Sequence, residues 1–417
     1  MLNKKDIMEI KRRFKKDACS ITRMCGCYVN SNKEKVMQLD ENFLNLDDAK
    51  FFKYLEIVKK AISGTIGKNI LDLRFFENEQ GSGGKQQYFL GLRESALKNQ
   101  QLLEHIYDMI IEHYDYAGNY LILIFHDAYD VISKTSDELK LDESEEVFTY
   151  MICAICPVNL SKPGLCYNGS ENDIAPIIQD WVVGMPDVAF MYPSFIDRGT
   201  DVNVVTYTVK DPKDSRPGFI QEVLGCEPKR TATEEKNAFE DIVKTCLAPT
   251  VEKADDVVID LQEHLYEIAE EKRIEEEGLV IGEPEELCLD KNTLSKAFET
   301  LDVSDSVVDK IQKRLEEEFS DKTPAVDHLY DEKVIEKNNK EKREQRLLEE
   351  IDSLKQELDN AKGREYGSDD YSKGKISVTG TNPDNISFQT IDGKRYLLIP
   401  VENEPVMVNG VVKEDRA

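Results

Sequence analysis

Apolar and polar positions alternate along the chain with periods that change from one stretch to the next. Residues 3–16 place Ile7, Ile10 and Phe14 at helical spacing and leave Lys4, Lys5, Lys11, Arg12, Arg13, Lys15 and Lys16 on the remaining surface, a basic amphipathic helix. Residues 46–63 repeat the helical spacing through Phe52, Leu55, Ile57, Val58 and Ile62 and stop at Gly64. Residues 69–76 (NILDLRFF) predict a strand, 77–87 a loop rich in Gly and Gln, and 88–114 one long helix. YLILIF at 120–125 is too short for a helix and bounded by Gly118-Asn119, so it predicts a buried strand. Strand, long helix, strand is the pattern of a βαβ crossover. Residues 148–158 and 202–209 add further strands. The expected N-terminal fold is α+β, or α/β, over residues 1–248.

The character then changes. Residues 249–363 carry most of the net negative charge and almost no strand pattern, and predict an acidic helical region with helices over 257–277, 293–300, 305–319 and 331–362. In the last of these, Leu347, Ile351, Leu354, Leu358 and Ala361 step by four, three, four and three, a short coiled-coil-like seam. Residues 364–374 (REYGSDDYSKG) predict a linker. Residues 375–417 predict a small β module of short strands, in which Asp392-Gly393 and Asn409-Gly410 supply hairpin turns.

Composition narrows the function classes. The 417 residues carry 54 Lys+Arg against 82 Asp+Glu, a formal net charge of -28, with 40% hydrophobic residues. That excludes collagen, wholesale disorder and an overall basic nucleic-acid coat. No apolar run reaches the roughly 18 residues of a spanning helix, and residues 1–16 alternate charge with apolar positions where a secretory signal has one apolar block, so no membrane partner is expected and the chain is placed in the cytoplasm. Nine cysteines without secretory features are expected to be reduced. Cys153 and Cys156, three apart on a strand, point to opposite faces, which favours buried structural thiols over a zinc site.

The segments GCYVN (26–30), SGTIGKN (63–69), NYLILIFHDAYDV (119–131), ICPVNLSKPGL (155–165), DWVVGMPD (180–187), FIDRGTD (195–201), KRTATEEKNAFEDIV (229–243) and IDGKRYLLIPVENEPVMVNG (391–410) resemble those of the domain of unknown function 4317 family, uncharacterised proteins of Gram-positive anaerobic bacteria. The resemblance covers nearly the whole chain. It implies a bacterial, cytoplasmic protein and brings no catalytic residue with it.

Three sets of residues are candidates for chemistry or binding. His126, Asp127 and Asp130 follow the strand YLILIF, and a His with two carboxylates at a strand end could bind a divalent metal for assisted hydrolysis; no cofactor is otherwise predicted. Capping of a following helix is the plainer reading. The loop 81–87 (GSGGKQQ) is similar to the Gly-Gly-Gln loop of peptide-release factors, which would make Gln86 the positioning residue of a ribosome-associated release or rescue factor; Lys85 interrupts that tripeptide, and an ordinary flexible loop is preferred. Gly64 to Asn69 has a Gly-Lys pair but precedes a strand, and is a turn, not a phosphate cradle. The partner-binding candidates are Lys4, Lys5, Arg12 and Arg13, for RNA, the ribosome or an acidic patch in the helical region, and Leu347, Ile351, Leu354 and Leu358, for a protein partner or self-association. Trp181, the single tryptophan, is expected to anchor a core. The expected function is a binding or regulatory protein without catalytic activity.

Overall fold

The computed structural model describes residues 2–134, 140–170, 172–248, 254–277, 287–301, 303–320, 323–364, 378–379, 387–398, 406–408 and 411–413. The chain divides into two compact units, Met1–Lys337 and Asn338–Ala417.

The first unit is built on one antiparallel sheet. Its strands are β1 (Arg23–Val29), β2 (Lys35–Asn42), β3 (Ile70–Arg74), β4 (Asn119–Lys134), β5 (Lys140–Leu160), β6 (Leu165–Asn168), β7 (Asp173–Pro176), β8 (Trp181–Val183), β9 (Val188–Tyr192), β10 (Ser194–Ile196), β11 (Gly199–Asp201) and β12 (Val204–Val209). The sheet order is β2-β1-β4-β5-β9-β12-β3, with β8 pairing β5 beyond β9, while β6-β7 and β10-β11 are separate hairpins. Every neighbouring pair in the sheet is antiparallel. The fold class is therefore α+β, and the βαβ crossover expected from residues 69–125 is not formed: β3 is an edge strand paired with β12, far from β4 in the sheet order.

The continuous apolar run of β4 follows from burial on both faces. Ile122 and Ile124 point into a cluster with Met151, Cys153, Phe190 and Tyr207, while Leu121, Leu123 and Phe125 join Ile152, Ala154, Cys156 and Met191 on the opposite face. Helices α1 (Lys4–Arg13) and α2 (Asp48–Ala61) cover the second face through Ile10, Phe14, Phe51, Leu55 and Val58. The first face is covered by α3 (Lys85–Glu94) and α4 (Gln100–His113), through Phe89, Leu92, Leu103, Ile106 and Ile110, together with α5 (Pro217–Phe219) and the π-turn after it. Cys153 and Cys156 fall into different clusters, as their spacing predicts, and all nine cysteines are free thiols.

Where one helix was expected over 88–114 there are two. Ala96 and Leu97 both take the left-handed conformation (φ 49° and 59°), and Asn99 caps α4 by accepting from the amides of Gln101 and Leu102. Leu97 is fully buried, so the break seats it in the core.

The helical part of the first unit consists of α6 (Ala232–Leu247), α7 (Ala254–Glu277), α8 (Lys291–Phe298) and α9 (Asp305–Phe319), close to the ranges read from periodicity. Its apolar cluster starts at α6, with Phe239, Val243 and Leu247 against Leu261, Leu265, Phe298, Ile311 and Leu315. A capping box of Thr231 and Glu234 opens α6. Helix α10 (Glu332–Arg364) follows; Ile335 is buried in the same cluster.

Past α10, the second unit contains β13 (Val378–Thr379), β14 (Ser387–Ile391), β15 (Lys394–Leu398), β16 (Val406–Val408) and β17 (Val411–Lys413). β14 and β15 pair through Asp392-Gly393, whose positive φ values of 50° and 78° suit the expected turn. The expected linker past Arg364 and the Asn409-Gly410 turn lie outside the described residues.

The helix break gives a substitution whose sign discriminates. A left-handed alanine costs about 1–2 kcal/mol, and glycine there costs about 0.4–1 kcal/mol through the unfolded chain, so Ala96→Gly should stabilise by about 0.5 kcal/mol in chemical denaturation. A continuous helix would instead lose about 1 kcal/mol.

Candidate functional site

The segment His126 to Asp130 does not follow a strand; it continues β4, paired with Arg23 of β1 at one end and with Val147 to Met151 of β5 along its length. Alternation therefore sends His126 and Asp127 to opposite faces. The expected triad of metal ligands is not brought together, and among the described residues no group of three or more His, Cys, Asp or Glu side chains could hold a metal ion.

Each member has its own surroundings. His126 is buried, and its Nδ1 lies 2.9 Å from Thr22 Oγ1, beside a cleft of about 360 Å³ lined by Thr22, Arg23, Asn42, Ala96 and Lys98. Burial holds its imidazole below the ordinary value of 6.5, so it is neutral at neutral pH. Asp130 is exposed at the surface.

Asp127 is 2% exposed and fully engaged. Its carboxylate accepts from Ser20 Oγ at 2.7 Å, the Ala128 amide at 2.9 Å and the Tyr150 hydroxyl at 2.6 Å, and lies 3.5 Å from the Arg13 guanidinium. Tyr150 is fully buried, which pushes its hydroxyl far above the ordinary value and leaves it a donor. Arg13 also lies over the Tyr129 ring, 3.9 Å from the centroid. The Tyr129 hydroxyl donates to Glu9 at 2.8 Å, and Glu9 pairs with Arg198 at 3.3 Å.

These contacts account for Arg13 of the basic N-terminal segment. Its expected acidic counterpart in the helical region is replaced by Asp127 and by Asp48, which pairs with Lys16 at 2.9 Å. Asp6, two turns before Arg13 on the same face of α1, accepts from the Asp197 and Arg198 amides at 3.1 and 3.4 Å and so holds the left-handed turn of FIDRGTD between β10 and β11. Lys4, Lys5 and Arg12 remain exposed.

Gln86 is likewise structural. It lies in the first turn of α3, is 5% exposed, and donates its amide to the Val202 carbonyl and Asn203 Oδ1, both at 3.0 Å. The expected flexible presentation is thus absent, because Lys85 and Gln86 are already helical. The glycines before them have steric reasons: Gly83 has φ +86°, and a Cβ on Gly84 would collide with the Glu79 carbonyl.

The described residues also leave a group of large apolar side chains uncovered. After β5 leaves the body of the sheet, residues 160–185 form an arm made of the β6-β7 hairpin and β8. Leu165 pairs with Pro176 and Tyr167 with Ile174, so these four share one hairpin face, where Leu165, Tyr167 and Ile174 are 58–71% exposed. Leu160 pairs with Trp181, and both are exposed, as are Ile178, Val182 and Met185. Trp181 is 57% exposed and not a core anchor: β8 pairs with β5 beyond the end of β9, and β12, which flanks β9, does not pair with it, so no described strand lies on its other side. The sequence held a signal for the hairpin in Asn168-Gly169, between LCY and DIAP. A second exposed apolar stripe lies on α10, where Leu347, Ile351 and Leu354 are 46–55% exposed; the Leu358 side chain is outside the described residues.

A substitution separates the structural role of Asp127 from a catalytic one. Asp127→Ala leaves Arg13, Ser20 and Tyr150 without their buried acceptor and should destabilise by about 3–5 kcal/mol in urea unfolding. A change below about 1 kcal/mol would contradict the clamp.

A family model described as Domain of unknown function (DUF4317) matches residues 2–411, and the chain belongs to that family. A search of curated proteins gives no match.

Proposed function

We propose that this member of the family is a non-catalytic binding or regulatory protein, and that its recognition surface is the apolar arm of residues 160–185. One observation carries the reading: the concentration of exposed Leu, Ile, Val, Met, Tyr and Trp side chains on this arm, of a kind that single soluble domains rarely leave uncovered. Trp and Tyr are also the side chains that most often dominate binding energy at protein interfaces.

The charge around the arm specifies the partner's chemistry. Asp173 and Asp180 are exposed within it against the one exposed Lys162, on a chain of formal net charge -28. The fitting partner is a protein with an apolar depression rimmed by Lys and Arg, toward which the acidic chain is steered. The same net charge opposes RNA at long range, and two of the seven basic residues near the N-terminus, Arg13 and Lys16, are ion-paired to Asp127 and Asp48. Metal-assisted hydrolysis is disfavoured by the opposite faces of His126 and Asp127, and release-factor chemistry by the burial of Gln86. No helix among the described residues is long and apolar enough to cross a membrane.

A photoreactive phenylalanine analogue placed at Ile178 should give a discrete protein adduct in cells, and the same analogue at Lys50, exposed on α2, should not. Identical adduct patterns at the two positions would remove the arm from the reading.

A further inference from the structure

The exposed stripe of α10 carries a second and independent inference, because its flanking charges specify what covers it. Its spacing sets a heptad register in which Leu347, Leu354 and Ala361 occupy d and Ile351 and Leu358 occupy a. Leu347, Ile351 and Leu354 are 51%, 46% and 55% exposed, so the seam side chains among the described residues are uncovered in the single chain.

In this register the g positions are Arg343, Glu350 and Glu357 and the e positions are Leu348, Lys355 and Lys362. In a parallel pair each g residue faces the e residue five positions later on the other helix, so Glu350 meets Lys355 and Glu357 meets Lys362, twice each by symmetry. In an antiparallel pair g faces g and e faces e, which opposes Glu to Glu and Lys to Lys. Isoleucine at a with leucine at d further favours two strands over three or four. Lys355 pairs within its own helix with Asp352 at 3.2 Å, but both side chains are about 70% exposed, so the pair exchanges at little cost. Arg343 at g faces Leu348 at e, 62% exposed, and its aliphatic stem can cover that leucine.

We propose that α10 forms a parallel two-stranded coiled coil with the α10 of a second copy of this chain. The seam spans only about two heptads, so association is concentration dependent rather than permanent. The dimer would present two copies of the arm, which raises avidity for a partner that is itself repeated.

Sedimentation equilibrium of the full chain from about 1 to 100 µM, the range in which a binding free energy of about -6 to -8 kcal/mol becomes visible, tests this directly. The mass should rise from 47.7 kDa toward twice that value. Glu350→Lys with Glu357→Lys makes both flanks basic, and Lys355→Glu with Lys362→Glu makes both acidic. Each double variant alone should stay monomeric over the range, and an equimolar mixture should regain the doubled mass, which also shows that both still fold. A wild type that remains monomeric overturns the proposal. So does a basic double variant that dimerises as well as wild type, since an antiparallel pair, with like charges already opposed, would be indifferent to that change.

Discussion

The central strands β4 and β5 are buried on both faces, and that single constraint governs where every polar group near them can go. A strand alternates its side chains, so each residue of HDAYD is assigned to a face by its number alone. A carboxylate assigned to a buried face must find its acceptors' full complement of donors or be lost. Asp127 finds Ser20, Tyr150, the Ala128 amide and Arg13, and in doing so it fixes α1 to the sheet. The clamp repeats along α1: Asp6 holds the Asp197-Arg198 turn, and Glu9 bridges Tyr129 and Arg198. Polar residues that look like chemistry in the sequence are, on this sheet, the means by which a charged helix is held on an apolar face.

Much of the layout was legible, because burial leaves a plain trace in periodicity. YLILIF, the cysteine strand and the helices after residue 254 are where their patterns put them, and the Asp392-Gly393 turn has the backbone that the dipeptide favours. The errors have physical causes. A run of helical spacing from 88 to 114 does not reveal two left-handed residues, because Leu97 takes that conformation to reach the core and the preference comes from tertiary packing. Strand, helix, strand is equally the pattern of a crossover, but pairing partners in an antiparallel sheet are set by distant segments, and β3 pairs with β12. The apolar run ends at Phe125, which by pattern puts Asp127 at the end of a strand, whereas the backbone ladder continues to Lys134. Large aromatics usually sit in cores, but Trp181 is exposed because β8 pairs only with the last residues of β5, past the end of β9, which no local pattern encodes.

Function in this protein is therefore sought on its uncovered surfaces. On the sheet, Asp127 and its partners serve to hold α1, while the arm and the α10 stripe leave large apolar side chains in water, at a cost that a partner would relieve. The two surfaces differ in what they suit. On the reading proposed above, the arm, with aromatic and branched side chains on a hairpin, would take a basic-rimmed apolar depression, and the α10 stripe, with its ordered Glu and Lys flanks, would take a copy of itself.

The claim on which this rests most heavily is that the arm is uncovered in the isolated chain, and the single tryptophan reports on it without any labelling. The fluorescence of Trp181 in the purified protein should be quenched by the neutral quencher acrylamide at a substantial fraction of the rate found for free indole, with the red-shifted emission of a hydrated ring. Emission shifted to the blue and protected from acrylamide would place Trp181 in a packed interior and contradict the account.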